Sequence, residues 1–503
     1  MRSRAEMGTS AQIDYRRARS ERAWRRTWWR KLGAAAVSAV VIGVLGAGSP
    51  RPISAQTSVQ TTAVVPRESI VAFWSQLGDS TLAQLVRETL AANPDVRAAA
   101  VRIQRARAEQ RLTGFDFAPT VTSAAGYTRG RLAAAQAPGV PAAFREERLL
   151  SAGVDAAWEI DVFGRIRNNY RGAGALVASA NEDSRFVQVS LVSDLVSAYF
   201  QLRGAQEQLA VAQRNSANQQ RNLDLTRERL NAGRGTAFDT ERAQAQLSST
   251  LAAIPLITSD IASDQNLIAA LTGRDSSNPE ITVATDTVVP STVPPSLVLP
   301  SLSPALSQAF SPAALLELTR GRPDVQAAER LLSAQSSFVA ASRAEYLPRL
   351  TVGGSVGSTA TGFGSLGEGA ASRYVVGPTI SWPFLDLGRT RARVDVSRAR
   401  EEEARQAYRA ISLRASSEVS SALSRYTGAR ARLASLGDAA AASKRAATLA
   451  RLRFTEGVSD FLQVLDAERT QLDAEMQLTM ARTQAAVAFA TVYRAAGGSL
   501  PRP

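Results

Sequence analysis

The sequence predicts an α+β chain of duplicated design, in which short strands of the membrane-barrel type alternate with helices too long for a globular core. Three observations carry this: an internal repeat, period-two apolar segments near ten residues long, and heptads sustained without proline from Ile166 to Asn231. Pro-Asp-Val occurs at 94–96 and again at 323–325, an offset of 229 that Pro119 and Pro348 keep, each with an aromatic two residues earlier, Phe117 and Tyr346. Downstream the offset is 224: Trp158 faces Trp382, Gly164-Arg165 faces Gly388-Arg389, Gly233 faces Gly457 and Ala243 faces Ala467. The five-residue change falls between Pro119 and Gly164, where a loop of the first copy is longer. A period this long is one half-molecule used twice, not a short-repeat solenoid.

The elements follow in order. Residues 1–55 hold 11 Lys and Arg against 3 Asp and Glu, with an apolar run from Leu32 to Gly48 and small residues Ser54-Ala55, the order of a secretory signal peptide. The run is 17 residues, short of the ~20 a spanning helix needs. The first repeat is set at 56–272, a proline-rich connector at 273–312 and the second repeat at 313–503. Each repeat reads helix, two strands, two long helices. Leu82–Thr113 and Ala313–Ala344 are the first helices. In 151–161, Ala152, Val154, Ala156, Trp158 and Ile160 alternate with Ser151, Gly153, Asp155, Glu159 and Asp161. Tyr374, Val376, Ile380, Trp382 and Phe384 repeat the pattern, and Leu350, Val352 and Val356 mark a partner strand. One apolar face at this length suits a tilted membrane strand, although the strand pattern alone favours an ordinary half-buried soluble sheet.

The helices shift the balance toward the membrane strand. Leu195, Leu202, Leu209, Leu223 and Leu230 stand on one heptad register that Ser216 interrupts, and Val419, Tyr426, Leu433, Ala440, Ala447 and Phe454 form another. Helices of that length reach roughly 100 Å. Gly233 and Gly457 end them before antiparallel returns at 240–271 and 461–495. Four strands cannot close a barrel, and open edges are not tolerated in lipid, so oligomerisation is required. Two copies supply eight strands and three supply twelve.

Composition narrows the function. Of 503 residues none is cysteine and none histidine, which excludes disulfides, Cys/His metal sites, thiol nucleophiles and histidine bases. Of the net charge of +14, +8 lies in residues 1–55, too little elsewhere to indicate nucleic-acid binding. Gly362-Phe-Gly-Ser-Leu-Gly367 matches a dinucleotide pattern but opens no helix, and Gly353-Gly-Ser-Val-Gly357 resembles a nucleophile elbow with no histidine to serve it. Glu159 and Asp161 alternate onto one strand face, where a barrel lumen accounts for them. No catalytic constellation, cofactor site or metal site is expected.

Ala157-Trp-Glu-Ile-Asp-Val-Phe-Gly-Arg165, Arg322-Pro-Asp-Val325 with Ala328-Glu329, Gly377 to Trp382, and Val464-Leu-Asp-Ala467 resemble the TolC-type outer-membrane efflux proteins, in the OprM/NodT-like branch. The resemblance runs from about Phe73 to Gly497, in both repeats. It implies a homotrimer whose twelve-stranded barrel, held by outer membrane lipids, continues into a periplasmic helical tunnel. It also implies an inner-membrane resistance-nodulation-division pump and a periplasmic adaptor as partners, with small molecules as cargo. Many members of the branch carry a lipidated cysteine; with none here, the barrel alone is expected to anchor the chain. Protein export by a type I system, or a periplasmic coiled-coil scaffold, are the competing readings.

The same resemblance assigns site residues. Gly233 and Gly457 fall at the tips where an adaptor docks, although each glycine also simply ends a helix. Asp466 matches an acidic position at the tunnel's narrow end, where a carboxylate ring would attract cations; a solvated helix face is the alternative. Gln463, one turn earlier, makes any second ring neutral. Asp239 is the tip position of the first repeat, expected to hold a closed state through polar contacts. Phe454 stands where relatives often have tyrosine and constricts only by bulk. Trp158 and Trp382 are expected at a membrane interface, with core packing as the alternative.

Overall fold

The computed structural model describes residues 67–136, 138–274 and 318–498. The signal segment and most of the proline-rich connector lie outside the described residues. Helices α1 (Arg67–Ser75), α2 (Ser80–Ala92) and α3 (Pro94–Phe115) lead into strands β1 (Thr120–Arg131) and β2 (Glu146–Ile160), then the long helices α4 (Arg165–Asn231) and α5 (Ala237–Leu271). The second half repeats this as α6 (Pro323–Ala344), β3 (Arg349–Ala360), β4 (Ser372–Ser381), α7 (Leu387–Thr455) and α8 (Phe461–Ala495). Helices α4 and α7 have 67 and 69 residues, roughly 100 Å of helix each.

Both first helices break where the sequence reading ran them through. Pro94 and Pro323 each occupy the first turn of a new helix, because proline lacks the N–H that a continuing helix would bond and forces the residue before it out of the helical region. Asn93 caps the new helix by accepting from the Asp95 and Val96 amides. Its Nδ2 also donates to the Leu271 carbonyl at 2.9 Å, at the end of α5. In the second half Arg322 takes over, donating to the Ala495 carbonyl at 3.0 Å while pairing with Asp324 and Glu418. The repeat thus ties the C-terminus of each return helix to its own Pro-Asp-Val turn.

Helix ends of this kind need glycine. Gly273 and Gly497 hold φ of 73° and 66° just past α5 and α8. A Cβ on Gly497 would meet Pro323 Cδ at 2.8 Å, and one on Gly273 the Ala92 carbonyl oxygen at 2.8 Å.

The heptad positions are packed: Leu195, Leu202, Leu223, Val419, Tyr426 and Ala447 are buried. The main core gathers Phe73 and Trp74 of α1 against Phe489 and Tyr493 of α8, with Tyr426 alongside. Tyr199 on α4 donates to Asp79 at 2.5 Å, fastening the start of α2 to this core; burial, and then the Asp79 carboxylate, push its phenol up. Among the described residues no helix is long and apolar enough to cross a membrane.

The strands form one antiparallel sheet in the order β1-β2-β3-β4. The register is unbroken, so one face is continuous across all four strands. Val121, Ala125 and Tyr127 pair with Ala156, Ala152 and Leu150; on the same face Val154 and Trp158 pair with Val356 and Val352, and Gly354 and Leu350 with Val376 and Ile380. The opposite face carries Thr120, Thr122, Thr128, Ser151, Asp155, Thr351, Ser355 and Thr379 among glycines and alanines, with Leu149, Val375, Glu147 and Arg373 toward its far end. Strands β1 and β4 are the open edges. The strands differ from the sequence reading in extent: β2 begins at Glu146, and β4 stops at Ser381, before Trp382-Pro-Phe384.

Gly497→Ala should lower stability by about 2–4 kcal/mol, backbone strain plus collision with Pro323. Gly457→Ala, at φ of 76° but with nothing within 4 Å of its Cβ, should cost about 1 kcal/mol. Thermal melting by circular dichroism reads the difference, and equal losses would refute the collision.

Candidate functional site: the helical tips and the sheet ends

The two tips are built alike. After α4, Gly233 takes φ of 69° while the Gly233 amide bonds the Leu230 carbonyl and the Arg234 amide the Arg229 carbonyl. After α7, Gly457 at 76° does the same with Phe454 and, through Val458, with Arg453. This is the 6→1 and 5→2 pattern that satisfies the last carbonyls of a helix. Both glycines are exposed. The return helices are then capped by Thr236 and Asp460, which accept from the backbone amides of Asp239 (3.2 Å) and Gln463 (3.1 Å).

Asp239 and Gln463 are therefore the same position of the two repeats, the third residue of the return helix. Asp239 is occupied within its own turn, its carboxylate accepting from the Thr236 hydroxyl at 2.6 Å. Gln463 is exposed on the outer turn of α8. Phe454 is buried in a cluster with Leu223, Leu247, Phe461 and Val464. Its ring lies 5.5 Å from that of Phe461, with the Arg229 guanidinium 4.0 Å over its face. A ring so enclosed fastens the tip of α7 to α4 and α8.

Asp466 is exposed and opens into a groove of about 270 Å³ between α5 and α8. Arg242 and Arg469 line the same groove. Arg242 is the residue that the 224 offset places opposite Asp466, so the repeat itself carried the signal, and it was missed in reading the acid alone. The Arg242 guanidinium lies 5.2 Å from the Phe238 ring centre, and Phe238 is exposed at the tip.

Above the tip cluster runs a polar seam that sequence reasoning did not find. Glu468 on α8 is 5% exposed and accepts from Arg451 Nε of α7 at 2.7 Å and Asn222 Nδ2 of α4 at 2.6 Å. Arg451 also donates to Gln471 at 3.1 Å, and Gln471 to Glu475 at 2.7 Å. Asn215, Gln219 and Asn222 occupy the inner face of α4 here, all but Asn222 fully buried. The seam begins where Ser216 interrupts the leucine register.

At the other end of the long helices, the indole of Trp158 donates to the Phe117 carbonyl at 2.9 Å and that of Trp382 to the Tyr346 carbonyl at 3.0 Å. The repeat has kept this bond in both copies, pinning the end of each second strand to the turn that starts the first. Both rings remain about half exposed, at 41% and 51%, so neither is core. Trp158 stands on the apolar face of the sheet, cross-strand from Val352. Glu159 and Asp161 need no lumen to explain them: Glu159 pairs with Arg165 through both oxygens, at 2.9 and 2.8 Å, and Asp161 caps α4 by accepting from the Ile166 and Arg167 amides. Gly353–Gly357 lies within β3, and Gly362–Gly367 in the β3–β4 connection. Among the described residues no three acidic side chains converge as a metal site.

The arrangement has known counterparts. The family model described as outer membrane efflux protein matches residues 85–274 and 315–498, one stretch per repeat. Outer membrane protein OprJ of Pseudomonas aeruginosa is 28% identical over 423 residues, covering 84% of each chain. The cation efflux system protein CusC of Escherichia coli strain K12 is 27% identical over 429 residues, covering 84% of this chain and 87% of its own. The solved structure of the outer-membrane channel OprN superposes with a TM-score of 0.75 at 37% identity, over 85% of this chain and 92% of that one.

Arg451→Met should cost about 2–4 kcal/mol by leaving the Glu468 carboxylate buried with Asn222 alone, and the double variant with Glu468→Met should recover most of it. Thermal melts of the two variants test this. Equal damage from both would mean that packing, not charge pairing, holds the seam.

Proposed function

Because the chain belongs to the outer membrane efflux protein family, we propose that it works as the trimeric exit duct of a tripartite pump. As a member it is an outer membrane channel component of an efflux system in a Gram-negative bacterium, and it is not an enzyme. The observation that carries the proposal further is the sheet: one face mainly apolar through the middle of all four strands, one mainly of Thr, Ser, Gly and Ala, and two open edges. An apolar face turned to lipid and a polar face turned inward is the pattern of a water-filled barrel. The edges must then be closed, since unpaired backbone in hydrocarbon costs several kcal/mol per group. With β1 and β4 running in opposite directions, β4 of one copy meets β1 of the next in antiparallel sense, and three copies give twelve strands.

In this reading Trp158 and Trp382 sit at the periplasmic interface of the outer membrane, where a half-exposed indole with its N–H satisfied is favoured. The long helices then descend as the tunnel, with the Gly233 and Gly457 turns at its far end for a periplasmic adaptor that joins the duct to an inner-membrane resistance-nodulation-division pump. The exposed Phe238, Val458 and Leu462 beside those turns supply apolar surface for that docking. With no cysteine in the chain, the barrel alone anchors it. Cargo is small molecules, chosen mainly by the pump.

Asp466 is the residue we place at the narrow end, three carboxylates in a ring, flanked by Gln463 and screened by Arg242 and Arg469. Asp239 serves its own turn and Phe454 holds the tip together. Single-channel conductance in planar bilayers tests this. Asp466→Asn should abolish cation preference, and Arg242→Gln should strengthen it. Reversal potentials unmoved by either substitution would remove Asp466 from the constriction, and absence of any channel would contradict the duct.

A further inference from the structure

The apolar face of the sheet does not end as it begins. Beyond Tyr127, the outward positions of β1 are Arg129 and Arg131, and those of β2 beyond Leu150 are Arg148 and Glu146. Arg129 stands directly across from Arg148, and Arg131 across from Glu146. Like charges in opposed positions destabilise a sheet. Glu146 answers one of them, accepting from Arg129 Nη2 at 2.9 Å. Among the described residues Arg131 and Arg148 form no ion pair or hydrogen bond through their side chains, and both are exposed. The corresponding end of β3 and β4 carries Ser358, Ala360 and Ser372 on this face and no arginine.

Their height on the barrel identifies what they meet. Arg148 lies ten residues from Trp158 along β2, on the same face. At about 3.3 Å per residue and a tilt near 40°, that is a rise of about 25 Å, the height of the apolar band of an outer-membrane barrel. Trp158 is at the end from which the helices leave, so the arginines stand at the opposite boundary, level with the headgroups of the outer leaflet. Tyr127 and Tyr374, exposed on the same face, mark that boundary from inside. A guanidinium fork matches phosphate geometry through paired hydrogen bonds. An opening role for these charges is ruled out by parity: Ser151 and Asp155 face the interior, and the arginines lie on the other side of the strands.

Resting on the barrel reading above, we propose that Arg131 and Arg148, beside the Arg129–Glu146 pair, bind the phosphate groups of a phosphorylated glycolipid in the outer leaflet. Three copies carry three such patches, one on each β1–β2 hairpin.

The test uses the full chain purified in neutral detergent. The SDS-resistant ring is first scored without lipid; its absence would be a failure of the channel reading and not of this one. Diphosphorylated lipid A, the same lipid with its phosphates removed, and inorganic phosphate are then added, and retention by native mass spectrometry and the dissociation temperature of the ring are measured. Diphosphorylated lipid A is expected to remain bound and raise the dissociation temperature, and the other two are not. R131Q/R148Q should weaken retention by about tenfold or more, the loss of two charge-assisted contacts, with ring formation and conductance as in the native protein. E146Q should not weaken it. Equal retention of the dephosphorylated lipid, undiminished binding by R131Q/R148Q, or protection by inorganic phosphate alone would each overturn the assignment.

Discussion

The backbone hydrogen bonds left open at the two edges of the sheet are the constraint from which the rest of the structure follows. A strand in water can leave an edge to solvent, but a strand in hydrocarbon has no partner except another strand. One chain supplies four strands with matched register and a single apolar face, and that is half of what the smallest membrane barrel needs. The duplication is a partial answer, since it makes a two-strand unit into four. The proposed ring completes it, and the long helices inherit its symmetry because each second strand runs directly into one.

The repeat shows which physical devices the chain could not vary. The indole-to-carbonyl bond at the strand ends, the left-handed glycine after each long helix, and the capture of a helix-terminal carbonyl by the residue before Pro-Asp-Val occur twice with the same geometry. Each satisfies a polar group that would otherwise be left unpaired at an element's end. Elsewhere the halves diverge. Asn93 became Arg322 and drew in Asp324 and Glu418, Asp239 is answered by Gln463, and Arg242 by Asp466. The differences at the tips are differences of charge, which is where a passage for ions or drugs would be tuned.

Much of this was legible in the sequence, for identifiable reasons. Period-two patterns are legible in β2 and β3 because apolar side chains hold one face of each strand, and heptads in α4 and α7 because residues such as Leu195, Leu202, Val419 and Tyr426 pack in the core at that spacing. Strand β1 was not located, since its apolar face is carried by only Val121, Ala125 and Tyr127 among Thr, Ser and Gly, and β2 supplies the rest. The helix break at Pro94 was passed over because the apolar pattern resumes in phase behind it. The Asn215–Gln219–Asn222 seam looked like a gap in the leucines, and its partner Glu468 is buried 246 residues away from Asn222, beyond reach of any local pattern. The Arg129–Arg148 register needs the pairing of two strands to be seen at all.

The central claim is that β4 of one copy closes on β1 of the next in a ring of three, and the native chain's lack of cysteine makes it directly testable. Thr122→Cys on β1 and Thr379→Cys on β4 place two thiols on the polar face at opposite edges, three strand spacings across and four residues along, about 19 Å apart within one sheet and too far to join. Pairs in the neighbouring registers, Thr120→Cys with Thr379→Cys and Thr122→Cys with Ser381→Cys, are taken alongside. Oxidation of membranes followed by denaturing electrophoresis should yield a covalent ladder of two and then three copies, and no more. A ladder that stops at two, one that runs beyond three, or the failure of every register pair to cross-link would contradict the account.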